Sequence, residues 1–191
     1  QCAEFCGLSH ANMRMEVAAL TQDGFNRWVA NQLEPYESPA EGTVAADGES
    51  AFVTNCSSCH QVNGLEAADG NLIISRPDVG VYPGAAPNLT NLMTRTDFAG
   101  ASWSLLREEC RKQVWDAEPD QFTDRYLEGV TDDCFNEIDL REWLRNAPAK
   151  KPMYADPTKL TETDGLYRGM PYLALSEDQI DLLLAYLLER K

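Results

Sequence analysis

Asn55-Cys56-Ser57-Ser58-Cys59-His60 is the stretch that decides how this chain is read. Two residues between the cysteines let both sulfurs reach the vinyl groups of one haem, and the residue that follows points an imidazole at the iron. The same spacing also suits half of a zinc centre or a thioredoxin-like redox pair. Zinc would need two more ligands, yet the histidines are only His10 and His60, and no second Cys-x-x-Cys occurs. A covalently attached haem c is the reading that uses all three side chains.

Outward from this motif, Gly48 and Phe52 precede Cys56 as Gly-x-x-x-Phe-x-x-x-Cys, and Leu183-x-x-Tyr186-Leu187 lies near the other end of the chain. Ser176-Glu177-Asp178-Gln179 has capping-box spacing ahead of the apolar run 180–188, and Arg190 and Lys191 follow where a helix dipole favours cations. Together these residues resemble a class I cytochrome c domain, which implies two terminal helices crossing closely at Gly48. The resemblance also implies a second axial ligand to the iron. Met170, in Arg168-Gly169-Met170-Pro171, takes that role, with Pro171 stiffening its loop. Met153, in Lys151-Pro152-Met153-Tyr154, is the alternative, and a methionine can otherwise simply fill core space. The run Pro87-Asn88-Leu89-Thr90-Asn91-Leu92-Met93-Thr94-Arg95 is similar to the family's Pro-x-Leu-x-x-x-x-x-Arg stretch. That likeness implies that the Pro87 carbonyl orients His60 and that Arg95 faces a haem propionate.

A second constellation stands at the start, where Cys2, Cys6, His10 and Met13 follow Cys-x-x-x-Cys-x-x-x-His-x-x-Met. Thiolates, imidazole and thioether are soft ligands that suit copper, although the same spacing also fits one face of a helix. The run closely resembles the binuclear copper loop of cytochrome c oxidase subunit 2. By that resemblance Cys2 and Cys6 bridge two coppers and His10 and Met13 each hold one. The Glu4 carbonyl adds a weak ligand, and its carboxylate reaches a magnesium ion. The family takes a further copper histidine from an upstream strand and its anchor from an upstream transmembrane hairpin. Here the longest apolar stretch, 180–188, is too short to span a bilayer and contains Asp181. The sequence therefore reads as a C-terminal fragment with no visible signal peptide. Its expected place is the extracytoplasmic face of the bacterial plasma membrane, held there by the absent helices.

The expected fold class is mainly α: a class I cytochrome c domain preceded by the C-terminal end of a cupredoxin-like β-sandwich. Residues 1–34 form the cupredoxin part, with a closing strand over 14–20 and a helix over 22–32 capped by Thr21. Residues 35–47, rich in proline, glycine and small or acidic residues, form a linker. Residues 48–191 form the cytochrome domain, with an insertion around 103–148 in which 105–115 and 137–145 read as helices. Cys110 and Cys134 remain after both cofactors are assigned. In an oxidising compartment a disulfide between them is favoured over two buried thiols, and would stabilise the fold by about 3 kcal/mol in the chain-entropy model.

A hydrophobic content of 43% supports a folded core, whereas a net charge of −15 argues against nucleic-acid binding and favours a basic electron donor. Phosphate loops and nucleophile triads are missing from the sequence. The two motifs together resemble the cytochrome-c-fused subunit 2 of haem-copper oxidases. They imply electron entry: a donor (a cytochrome, a cupredoxin or an upstream quinol-oxidising complex) reduces the haem, and electrons pass to the copper pair and on to subunit 1. Oxygen is reduced and protons are pumped in that other subunit. The competing reading is a free-standing c-type electron carrier. A redox sensor would need an output domain that the sequence lacks.

Overall fold

A computed structural model describes residues 3–4, 9–66, 86–153 and 169–191. Its frame is a pair of helices far apart in sequence, α2 (Val44–Asn55) and α6 (Glu177–Leu188). Thr43 caps α2 by accepting from the Ala46 amide at 3.2 Å. At α6 the Ser176 hydroxyl accepts from the Gln179 amide at 3.2 Å while the Gln179 side chain accepts from the Ser176 amide at 2.9 Å, so the capping box is complete. Ala45, Gly48 and Phe52 form the buried stripe of α2, and Ile180, Leu183, Leu184 and Leu187 that of α6. Both stripes follow the helical repeat. A side chain at Gly48 would run into the Leu182 carbonyl oxygen and come within 2.8 Å of the Tyr186 Cβ, so only glycine lets the two backbones meet here. One turn on, the Phe52 and Tyr186 rings meet at a tilt of 44° with centroids 5.2 Å apart.

The core continues from this crossing through Leu92, Met93, Phe98, Leu105, Val130, Phe135, Leu140 and Leu144. Met93 is fully buried, and its backbone joins two distant segments: its amide donates to the Arg190 carbonyl, and its carbonyl accepts from the Val130 amide, both at 2.6 Å. A two-residue antiparallel pair, β1 (Asp97–Phe98) with β2 (Trp103–Ser104), leads into α3 (Glu108–Trp115), α4 (Pro119–Glu128) and α5 (Glu137–Lys150). Near its end α5 breaks at Asn146, two residues before Pro148. Arg141 of α5 pairs with Asp181 of α6 at 2.6 Å, and Arg145 with Glu177 at 2.7 Å. The disulfide Cys110–Cys134, with Cα atoms 5.7 Å apart, ties α3 to the turn before α5.

The helix α1 (Gln22–Gln32) occupies the expected span, and Thr21 caps it by accepting from the Gly24 amide at 3.1 Å. Two expectations are corrected: the strand over 14–20 and the start of the helix over 105–115. Residues 14–20 form no strand, because a strand needs a ladder and no neighbouring strand is offered among the described residues. Among the described residues the strands are β1 and β2 alone. The α3 helix starts at Glu108 rather than 105, since Leu105 and Leu106 are drawn into the core and Leu106 bridges to Phe135. The Thr43 cap starts α2 at Val44, inside the span read as linker. The α4 helix was not anticipated.

Candidate haem site

The carboxyl end of α2 delivers the Cys-x-x-Cys-His motif. The helical turn runs on past Asn55: the Cys56 amide donates to the Phe52 carbonyl at 2.8 Å and the His60 amide to the Cys56 carbonyl at 2.9 Å. Cys56 and Cys59 thus stand one turn apart as free thiols, Cys56 buried and Cys59 half-buried. Burial, and then the neighbouring Cys59, push the Cys56 thiol up to about 12.

His60 is positioned by the chain on the far side. Its Nδ1 lies 2.8 Å from the Pro87 carbonyl oxygen, which can only accept, so the proton sits on Nδ1 and the Nε2 lone pair is left for a metal. Burial, together with the nearby Arg95 charge, depresses the imidazole's basicity against the opposing pull of the Pro87 hydrogen bond. Those terms favour the neutral ring a metal requires.

The two strands of loop that face each other here are stitched together. The Leu89 amide donates to the Gln61 carbonyl at 2.8 Å, the Asn63 amide to Thr90 Oγ1 at 2.7 Å, and Asn88 Nδ2 to Asn63 Oδ1 at 2.9 Å. Asn88 Oδ1 in turn accepts from the Thr90 amide at 2.9 Å and the Thr90 hydroxyl at 2.6 Å. The haem motif alone does not point to these supporting residues, whereas Asn88-Leu89-Thr90 carries an Asx-turn signature that does. Arg95 donates to the Asn88 carbonyl at 2.6 Å, so its guanidinium braces this loop. Free thiols one turn apart, an oriented imidazole and a braced loop form a donor set that fits haem c.

Met153 and Met170 come together in space. Gly169, beside Met170, packs against Met153 so tightly that a Cβ there would meet the Met153 Cγ at 2.7 Å and also its Sδ. Met170 itself is half-buried against the core. Pro171 follows it in the loop that leads to the α6 cap.

Of the copper candidates, Cys2 and Cys6 lie outside the described residues. Glu4 is exposed, His10 opens a short 3-10 turn over His10–Asn12, and Met13 ends it. Among the described residues no three His, Cys, Asp or Glu side chains gather as a metal cluster. Nor, among them, is any helix long and apolar enough to cross a membrane.

The crossed helices, the motif at the end of α2 and the oriented histidine define a cytochrome c domain, and residues 45–109 match the cytochrome c family model. Cytochrome c oxidase subunit 2 of Bacillus sp. (strain PS3) is 29% identical over 191 residues, covering 100% of this chain and 38% of that protein. The subunit 2 of Alkalihalophilus pseudofirmus is 29% identical over 98% of the chain and 37% of its own length. That of Bacillus subtilis (strain 168) is 34% identical over 63% and 30%. These relatives are each named cytochrome c oxidase subunit 2, and the chain, similar to them along its length, spans less than two-fifths of theirs.

Proposed function

We propose that this chain is the electron-entry part of a respiratory cytochrome c oxidase. Cys56 and Cys59 attach haem c, His60 binds its iron, Pro87 orients His60, and Met170 is the second axial ligand, with Met153 next in line. Haem held this way supplies a one-electron couple. The chain takes single electrons from a donor and delivers them to a binuclear copper centre. Cys2, Cys6, His10, Met13 and the Glu4 carbonyl serve that centre, with the Glu4 carboxylate available to magnesium. Electrons leave for subunit 1, where oxygen is reduced and protons are translocated, in a complex on the extracytoplasmic face of the membrane. The boundaries proposed for this division of labour are a copper part before residue 35 and a cytochrome part from residue 48.

The observation that carries the reading is the 2.8 Å contact of His60 Nδ1 with the Pro87 carbonyl, which leaves one imidazole nitrogen for iron beside two free thiols. The acidic balance, −15 overall, favours a basic donor. The test is optical and metal analysis of the chain matured with haem, with and without a supplied upstream cupredoxin segment. Alanine variants of Met170 and Met153 are run beside it. A low-spin haem lost in Met170→Ala and kept in Met153→Ala, with two coppers bound once the upstream segment is supplied, is the expected result. Haem without copper in both preparations would instead make the chain a free-standing carrier.

A further inference from the structure

Residues 9–34, assigned by sequence to the copper side, and Tyr36 of the linker are built into the cytochrome side at three separate places. The first is the β1–β2 turn, where the Ser102 hydroxyl donates to the Asn12 carbonyl at 3.0 Å and the Arg14 amide to the Gly100 carbonyl at 3.3 Å. Close by, Ser9 donates to the Pro152 carbonyl and Glu16 pairs with Arg111 of α3. The second is the face of α4. Gly24, the buried residue of α1, sits on Thr123, the buried residue of α4, and a Cβ at Gly24 would meet the Thr123 hydroxyl and lie 3.3 Å from its Cβ. Arg27 pairs with Asp124 beside that contact, and the Asn91 side chain donates to the Asn31 carbonyl at 3.4 Å. The third is Tyr36, whose ring lies under the Arg190 guanidinium, 4.7 Å from ring centre to charge, and whose hydroxyl bonds to Glu49 of α2.

We infer that the inserted α3–α4 region is a cradle that seats the copper-loop segment on the haem domain, so that the spacing between the two redox centres is set by a packed contact and not by a swinging tether. The inference rests on the copper reading above. Its physical basis is where the contacts of residues 9–27 fall: Gly100, Ser102, Arg111, Thr123 and Asp124 lie within or next to the insertion and Pro152 is next to Met153, while Asn91, Glu49 and Arg190, which hold Asn31 and Tyr36, lie outside it. Ser9, Asn12 and Arg14, which make the first contact, belong to or adjoin the copper run that ends at Met13. The disulfide Cys110–Cys134 pins α3 to the turn before α5 and so holds the cradle's wall. Gly24 and Thr123 act as positioning residues here, since neither touches a cofactor.

Gly24→Ala separates the two possibilities by sign. On an undocked helix, alanine for glycine would strengthen α1 and slow amide exchange over 22–32 about fivefold. On the docked helix the added methyl strikes a β-branched side chain that is 3% exposed, so the helix lifts and exchange over 22–32 speeds up, by about tenfold. The double variant Gly24→Ala/Thr123→Ala should recover most of that protection. Slower exchange in Gly24→Ala, or no recovery in the double variant, would overturn the seating. In copper-loaded protein, haem-to-copper electron transfer should fall in Gly24→Ala with the haem midpoint potential unchanged, and return in the double variant. A rate that stays constant while exchange speeds up would overturn the positioning role and leave the seating. Failure to bind copper at all would overturn the copper reading while the exchange result stands by itself.

Discussion

Replacing Arg190 separates what the Tyr36–Arg190–Tyr186 stack contributes as packing from what it contributes as charge. The side chain is 4% exposed, and its guanidinium lies 4.7 Å from the Tyr36 ring centre and 4.6 Å from that of Tyr186. One nitrogen donates to the Glu37 carbonyl at 3.4 Å, a long bond, and Nε is buried with no partner. Two cation–π contacts in so dry a place contribute about 2 kcal/mol together. The unpaired Nε costs about 1 kcal/mol in the other direction. Methionine keeps the stem and removes both effects, so Arg190→Met should lose about 1 kcal/mol. Alanine also opens a cavity between two rings and should lose about 3 kcal/mol. Urea unfolding of the three proteins measures both differences. Tyrosine absorbance gives a second readout: burial raises the ionisation of Tyr36 and Tyr186, and the Arg190 charge opposes it, so both should ionise at still higher pH in Arg190→Met. If Arg190→Ala unfolds at the wild-type urea concentration, the stack does not exist in solution and the argument fails.

Gly48→Ala should destabilise the fold by about 2 kcal/mol in urea melts, because the helix-propensity gain of about 1 kcal/mol is outweighed by forcing α2 and α6 apart at two buried atoms; a more stable variant would mean the helices do not cross there. Removing the disulfide as Cys110→Ala/Cys134→Ala should lower stability by about 3 kcal/mol, the loop-entropy value for a sequence separation of 24, seen as an earlier thermal midpoint. Hydrogen bonds from Arg145 and then Arg141 hold the Glu177 carboxyl below the usual carboxylate range. Its contribution is therefore complete above that range and disappears as pH falls through the folded-state value. Glu177→Gln should flatten the acid limb of a stability-versus-pH curve, and an unchanged limb would show the pair to be silent. Inserting four Gly-Ser residues between Ser38 and Glu41 should leave haem-to-copper transfer unchanged, whereas a tether would slow it with added length.

The elements legible in the sequence were those whose signals are local. Thr21 and Ser176 announce helix starts because a capping side chain bonds a backbone amide three residues on, and the α6 stripe repeats with the helix period. The haem motif was legible for the same reason, being three residues in five. What escaped depends on partners far along the chain. The α4 helix carries its own markers, Pro119 in its first turn and Phe122 and Tyr126 four apart, but the residue it buries most, Thr123, is covered by Gly24. Arg190 reads as a cation suiting a helix dipole, and only Tyr36 folding back from the loop after α1 turns it into a buried stacked charge. Residues 14–20 alternate like a strand, yet alternation specifies which face is apolar and supplies no ladder partner.

That last case bears on how the two redox motifs are joined. A linker of thirteen residues read from composition suggests a flexible tether, in which transfer depends on how often the haem domain swings close. In the structure the span that is neither helical nor anchored shrinks to the residues between Tyr36, clasped to α2 and α6, and Thr43, which caps α2. Upstream of Tyr36 the chain is held again at α4 and at the β1–β2 turn. A segment fixed at three points loses the entropy of a tether once, on folding, instead of at every transfer event. On the copper reading proposed above, residues without redox chemistry, Gly24 and Thr123 foremost, govern the distance between the centres, and the extra length of the cytochrome domain serves that contact.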